Sequence, residues 1–153
     1  MKIKGWELKD ETVLEIGRFA ILWNCFEGEW CNNNCTPAVI KEKVGSIQLD
    51  MCKQAKLASV LNERRCWFGQ LELDYVEESL HPGNARKSSK GDVEIMRRFL
   101  EQSGDDLACG CLLVIHRIRN NLVHGLKVLY QLDDQIELFR FANEVLESIR
   151  WKE

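Results

Sequence analysis

Apolar residues recur at helical spacing along most of this chain. Val13, Ile16, Ala20, Trp23 and Trp30, with Phe26 on the same side, fall three, four or seven residues apart. That spacing predicts an amphipathic helix over about Asp10–Trp30. Cys31-Asn32-Asn33-Asn34-Cys35 interrupts it. Thr36-Pro37 reads as an N-cap followed by proline at the first helical position, opening a short helix to about Val44 that Gly45 stops. Leu49, Cys52, Leu57, Val60 and Leu61 predict a third helix over about Leu49–Phe68.

The middle of the chain is less regular. Leu71-Glu72-Leu73-Asp74-Tyr75-Val76 alternates as a strand would, but no partner strand is evident, so a helix is expected there. His81 to Gly91 is the clearest loop, with three basic residues and no acid, and is expected to be a flexible surface connection near residues 81–91. Val93, Met96, Phe99 and Leu100 then face inward on a helix over Asp92–Gln102. Ser103-Gly104-Asp105 ends that helix. Ala108, Cys111, Ile115, Ile118 and Leu122 carry the next, over about Asp106–Asn121. A last helix, about Asp133–Arg150, starts with two acids at its positive end and turns Ile136, Phe139, Asn143, Leu146 and Ile149 inward. The pattern predicts an all-α bundle of five to six helices, one domain over residues 1–153.

Size and composition agree with this. A chain of 153 residues with 45% hydrophobic and 29% charged residues is that of an ordinary globular domain. No apolar run approaches the ~20 residues that span a bilayer. Met1-Lys2-Ile3-Lys4-Gly5-Trp6 is not followed by an apolar signal core, so a cytoplasmic protein without membrane association is expected. Seven scattered cysteines make a poor disulfide framework and suit reduced thiols. Cys31-x3-Cys35 and Cys109-x-Cys111 lack the spacing of zinc knuckles, and two positions apart on a helix point to different sides. Free thiols and no metal are expected.

Candidate chemistry concentrates in Arg119-Asn120-Asn121-Leu122-Val123-His124-Gly125-Leu126-Lys127. From Leu107 to Leu132 there is no Asp or Glu, although the chain holds 24 acids and a net charge of -3. His116, Arg117, Arg119, His124 and Lys127 therefore make a locally positive region. Such a region suits a phosphate, whereas the global charge does not suit a broad nucleic-acid grip. His116, Arg119 and Asn120 stand at i, i+3 and i+4 and share one face of the predicted helix, at a cleft rim or interface. Gly125 lets the chain turn so that the His124 imidazole comes back toward Arg119.

At these residues the chain resembles the HEPN superfamily of helical domains, whose motif is an arginine, usually a polar residue next, and a histidine a few positions on. Arg119, Asn120 and His124 match that motif, and the whole stretch looks like the R-N-N-x-x-H-G-x-K form of many bacterial members. The resemblance covers Leu107–Ile149; residues 1–100 match only as generic helices. It implies a bundle that forms a homodimer and brings two motifs into one composite site. In active members it implies metal-independent cleavage of RNA. There a 2′-hydroxyl attacks the adjacent phosphate, histidine moves protons, and arginine stabilises charge on the pentavalent phosphorus. Asparagine orients the imidazole or the phosphate. The branch paired with small nucleotidyltransferases has a tyrosine two positions after the histidine. Here that position is Leu126, and Tyr130 does not substitute for it by spacing.

The resulting expectation is a cytoplasmic endoribonuclease, with a bacterial toxin or anti-phage defence effector as the candidate setting. Arg119, His124 and Asn120 are the expected catalytic residues. His116, Asn121 and Lys127 are the expected substrate-binding residues. No cofactor or metal is expected. RNA is the expected substrate, and an antitoxin or regulatory protein is a candidate partner. The alternative is a non-catalytic helical module that binds a nucleotide, RNA or a partner protein at the same place. In that case His124 caps a helix end, and Arg119 pairs with an acid such as Asp133 or Glu137. The five tryptophans read as core or interface anchors, and Arg64-Arg65 and Arg97-Arg98 as solvated helix faces able to meet RNA phosphates.

Overall fold

Six helices account for nearly all regular structure in the computed structural model, which describes residues 1–67, 89–123 and 131–150. They are α1 (Asp10–Trp30), α2 (Pro37–Lys43), α3 (Met51–Trp67), α4 (Lys90–Glu101), α5 (Leu107–Val123) and α6 (Ile136–Glu147). The predicted all-α bundle is the observed one. A two-stranded antiparallel hairpin, β1 (Lys2–Ile3) and β2 (Trp6–Glu7), precedes it. The hairpin was not expected, because four paired residues are too few for an alternating pattern. Lys4 and Gly5 make its turn at positive φ.

Local chemistry explains the boundaries. Thr36 Oγ1 accepts from Val39 N at 3.2 Å ahead of Pro37, so the predicted cap and proline start α2. The chain then tightens into a 3-10 turn over Val44–Ser46, where Gly45 was expected to end the helix. Ser89 Oγ accepts from Asp92 N at 3.2 Å, so α4 begins at Lys90 and takes in Gly91. The sequence pattern places both in the loop. Gln102, left-handed at φ 52°, ends α4. A 3-10 turn over Asp133–Gln135 leads into α6. The predicted 71–76 helix and nearly all of the 81–91 loop lie outside the described residues.

The core is organised around α5. Cys109 to Ile118 are buried without a break, so this helix has no solvent face over that stretch. It packs on α4, α2 and α3, while α1 and α3 pack on α6. Gly110 permits the α4–α5 approach, since a Cβ there would lie 2.5 Å from Phe99 Cβ and 2.7 Å from the Ile95 carbonyl oxygen. Phe19 of α1 meets Phe139 of α6 edge to face, with ring centroids 5.5 Å apart.

The buried face of α1 differs from the predicted stripe. Thr12, Glu15, Phe19, Trp23 and Phe26 are buried, whereas Ala20 is exposed and Val13 and Ile16 are half-buried. Two polar residues turn inward because the 3-10 turn before α6 and α6 itself supply partners, Asp133 for Thr12 and Asn143 for Glu15. Glu15 receives Asn143 Nδ2 at 2.9 Å and Arg18 at 3.1 Å, and Arg18 also pairs with Glu147. Cys52, expected inward on α3, is exposed. Among the tryptophans, Trp23 is a core anchor, but Trp6 lies on the surface; Trp67 and Trp151 fall outside what is described of side chains.

Candidate functional site between helices 1 and 5

Arg119 and Asn120 stand near the end of α5, just past its fully buried stretch, and both are half-buried. Arg119 Nη1 donates to Asn120 Oδ1 at 3.0 Å. This bond joins the two residues that the motif pairs, and it fixes the amide with its oxygen toward the guanidinium. Among the described residues Arg119 has no carboxylate partner. Asp133, an expected acceptor for it, instead takes Thr12 Oγ1 and, at 3.1 Å, Lys9 N. The acid-free run along α5 therefore leaves this guanidinium charge un-neutralised by its own helix.

A cavity of about 160 Å³ opens beside Arg119. Helix α1 contributes Phe19, Ala20, Trp23, Asn24 and Glu27, and α5 contributes Arg119 and Leu122. Phe19 and Trp23 are buried and form the apolar back. Asn24 is exposed and Glu27 half-buried, at the mouth. Glu27 Oε1 accepts from Cys35 N at 3.4 Å, and its backbone oxygen accepts from Cys31 N at 3.2 Å and Asn33 N at 2.9 Å. The turn after α1 thus anchors the acid. Trp23, Asn24 and Glu27 were not candidates in the sequence, because no short-range pattern links α1 to a motif almost a hundred residues later.

His116 is not on an open face with Arg119. It is only 8% exposed, and its ring centroid lies 5.9 Å from that of Trp23. Burial, reinforced by the charges of Arg117 and Arg119, pulls its pKa down to about 4; a hydrogen bond with the Cys35 backbone acts in the opposite sense. It is a neutral imidazole at neutral pH, packed behind the cavity. Asn121 is buried as well. Of the residues predicted to bind substrate, these two lie in the protein interior. Lys127 lies outside the described residues, as do His124, Gly125, Leu126 and Tyr130.

Other predicted features resolve differently. Cys31 and Cys35 are joined as a disulfide, with Cα atoms 4.9 Å apart, which corrects the expectation that all thiols are free. The Asn-rich turn, with Asn32 and Asn33 at positive φ, folds back on α1 and brings the two sulfurs together. Cys25 and Cys52 are free and exposed; Cys109 and Cys111 are free and buried, and burial raises both thiol pKa values. Arg97 and Arg98 are committed to Glu94, Glu101 and Asp106, and Arg98 forms a two-pronged contact with Asp106 at 3.1 and 2.6 Å. They are tied into their own surface and not left as free cations. No helix among the described residues is long and apolar enough to cross a membrane.

Comparison with protein-family models, curated proteins and solved structures gives no match to this chain.

Proposed function

We propose that this protein is a metal-independent endoribonuclease of the HEPN type, acting as a homodimer with a composite active site. The observation that carries this reading is the Arg119–Asn120 pair. It is a charged guanidinium, bonded to the adjacent amide and free of any carboxylate among the described residues, at the mouth of a cavity. In this reading Arg119 holds the scissile phosphate and stabilises the dianionic pentavalent state. His124, directly after the last residue of α5, takes the proton from the 2′-hydroxyl as its oxygen bonds to phosphorus. The bond from phosphorus to the 5′-oxygen breaks, and His124 of the partner subunit protonates the leaving oxygen. The products are a 2′,3′-cyclic phosphate and a free 5′-hydroxyl. Asn120 orients the arginine. The biological setting that fits is a cytoplasmic toxin or anti-phage effector held in check by an antitoxin or regulatory protein.

A second reading, a non-catalytic module binding a nucleotide, RNA or a partner protein, draws on the same cavity. Its aromatic back and arginine mouth suit a nucleotide whether or not His124 acts on it.

The test is incubation of the purified full chain with labelled single-stranded RNA in EDTA. Cleavage leaving a cyclic phosphate, with DNA of the same sequence intact, is expected. Equal RNA loss with wild type and His124→Ala would overturn the proposal.

A further inference from the structure

We propose that the cavity between α1 and α5 is a guanine-specificity pocket, with Glu27 reading the base and Phe19 and Trp23 backing it. This rests on the reading of the Arg119 end of α5 as an RNA-binding site, and it names the base that the site selects.

The lining divides by chemistry. Phe19, Ala20, Trp23 and Leu122 present carbon, while Asn24, Glu27 and Arg119 bring polar groups. At about 160 Å³ the cavity is smaller than the roughly 300–1,000 Å³ of pockets that enclose drug-sized ligands, and so suits one planar base and not a whole nucleotide. The sugar and phosphate would remain outside, where Arg119 offers its charge. An aromatic back with a cation at the mouth is the arrangement that single-stranded nucleic acid favours, since every base has a π face and every linkage a negative charge.

Glu27 turns a general base pocket into a selective one. A carboxylate only accepts hydrogen bonds, with about four lone-pair sites. One Oε1 position is taken by Cys35 N at 3.4 Å, and among the described residues Oε2 has no donor. Guanine alone among the four bases presents two adjacent donors on one edge, N1–H and the 2-amino group, to match a two-oxygen acceptor. Adenine sets a lone pair beside its single donor there. Uracil flanks its one N–H with two carbonyls, and cytosine offers one amino group beside a lone pair. Each brings a lone pair against the carboxylate, so Glu27 both attracts guanine and repels the others.

The experiment is calorimetric titration of the full chain with the four 3′-mononucleotides, which carry no scissile linkage, paired with mapping of cut sites on an RNA containing every dinucleotide step. Guanosine monophosphate should bind at least about tenfold more tightly than the other three, as expected for a charge-assisted bond gained against one lost. Glu27→Gln should bring that ratio close to one. Cleavage, where it occurs, should fall beside guanosine in wild type and spread over all bases in Glu27→Gln. RNA cut without base preference leaves the nuclease reading standing and overturns the pocket. Glu27-dependent guanine selectivity without any cleavage supports the pocket and overturns the nuclease reading. Should Glu27→Gln lose its helical circular dichroism, the wild-type ranking decides, and four affinities within twofold of each other overturn the proposal.

Discussion

Asn143 on α6 donates its side-chain amide to two oxygens of Glu15 on α1, the backbone carbonyl and carboxylate Oε2, each at 2.9 Å. Glu15 is 7% exposed and Asn143 is fully buried, so the contact lies inside the α1–α6 seam. Arg18, and Arg140 at 3.9 Å, complete the surroundings of the carboxylate. Removing one member of a buried charged network leaves the rest uncompensated. Asn143→Ala should therefore lower stability by about 2–4 kcal/mol, with urea denaturation as the measurement. A change below half a unit on that scale would show that water takes over the role of the amide.

Gly110 sets two known effects against each other. Alanine is the better helix former by about 1 kcal/mol. Its Cβ would sit 2.5 Å from Phe99 Cβ and 2.7 Å from a backbone oxygen of α4, which is not a flexible neighbour. The clash should win, and Gly110→Ala should destabilise by a net ~1–3 kcal/mol, seen as a lower thermal midpoint.

His116 makes stability depend on pH. Its pKa falls from 6.5 to about 4 on folding, chiefly through burial. Between those values the unfolded chain binds the proton and the folded chain does not. The contribution is therefore complete above pH 6.5 and is lost as pH falls toward 4. About 2 kcal/mol should disappear between pH 7 and pH 5. Denaturation at both pH values, with His116→Gln as the variant that cannot titrate, measures this. An equal pH difference in the variant would assign the effect to other groups.

For the proposed cleavage, His124→Ala should reduce the rate by roughly 10²–10⁴ through loss of proton transfer. Arg119→Ala should reduce it by at least ~10² through loss of transition-state charge stabilisation, with circular dichroism unchanged. Asn120→Ala, which removes a 3.0 Å bond to Arg119 and no charge, should have a smaller effect. Asn120→Ala matching Arg119→Ala in severity would make the amide more than an orienting group.

Helices marked by repeated apolar spacing were legible in the sequence, and α1 was legible to its end residues. Capping chemistry placed Thr36-Pro37 correctly because that signal is local. What escaped was long-range. Glu15 is buried because Asn143 and Arg140 of α6 meet it, and no pattern within α1 foretells partners on another helix. Cys31 and Cys35 read as unpaired because spacing alone does not show a turn with two asparagines at positive φ. The wall opposite Arg119 belongs to α1, so Trp23, Asn24 and Glu27 had no sequence sign of a shared site.

Helix α5 reaches Arg119 after ten consecutive buried positions, Cys109 to Ile118. A helix enclosed on every side has no freedom to spin or slide, so the core acts as an angular index for whatever follows it. The azimuth of Arg119 is inherited from side chains that never meet a ligand. Substitutions among those core residues would re-aim the guanidinium without touching it.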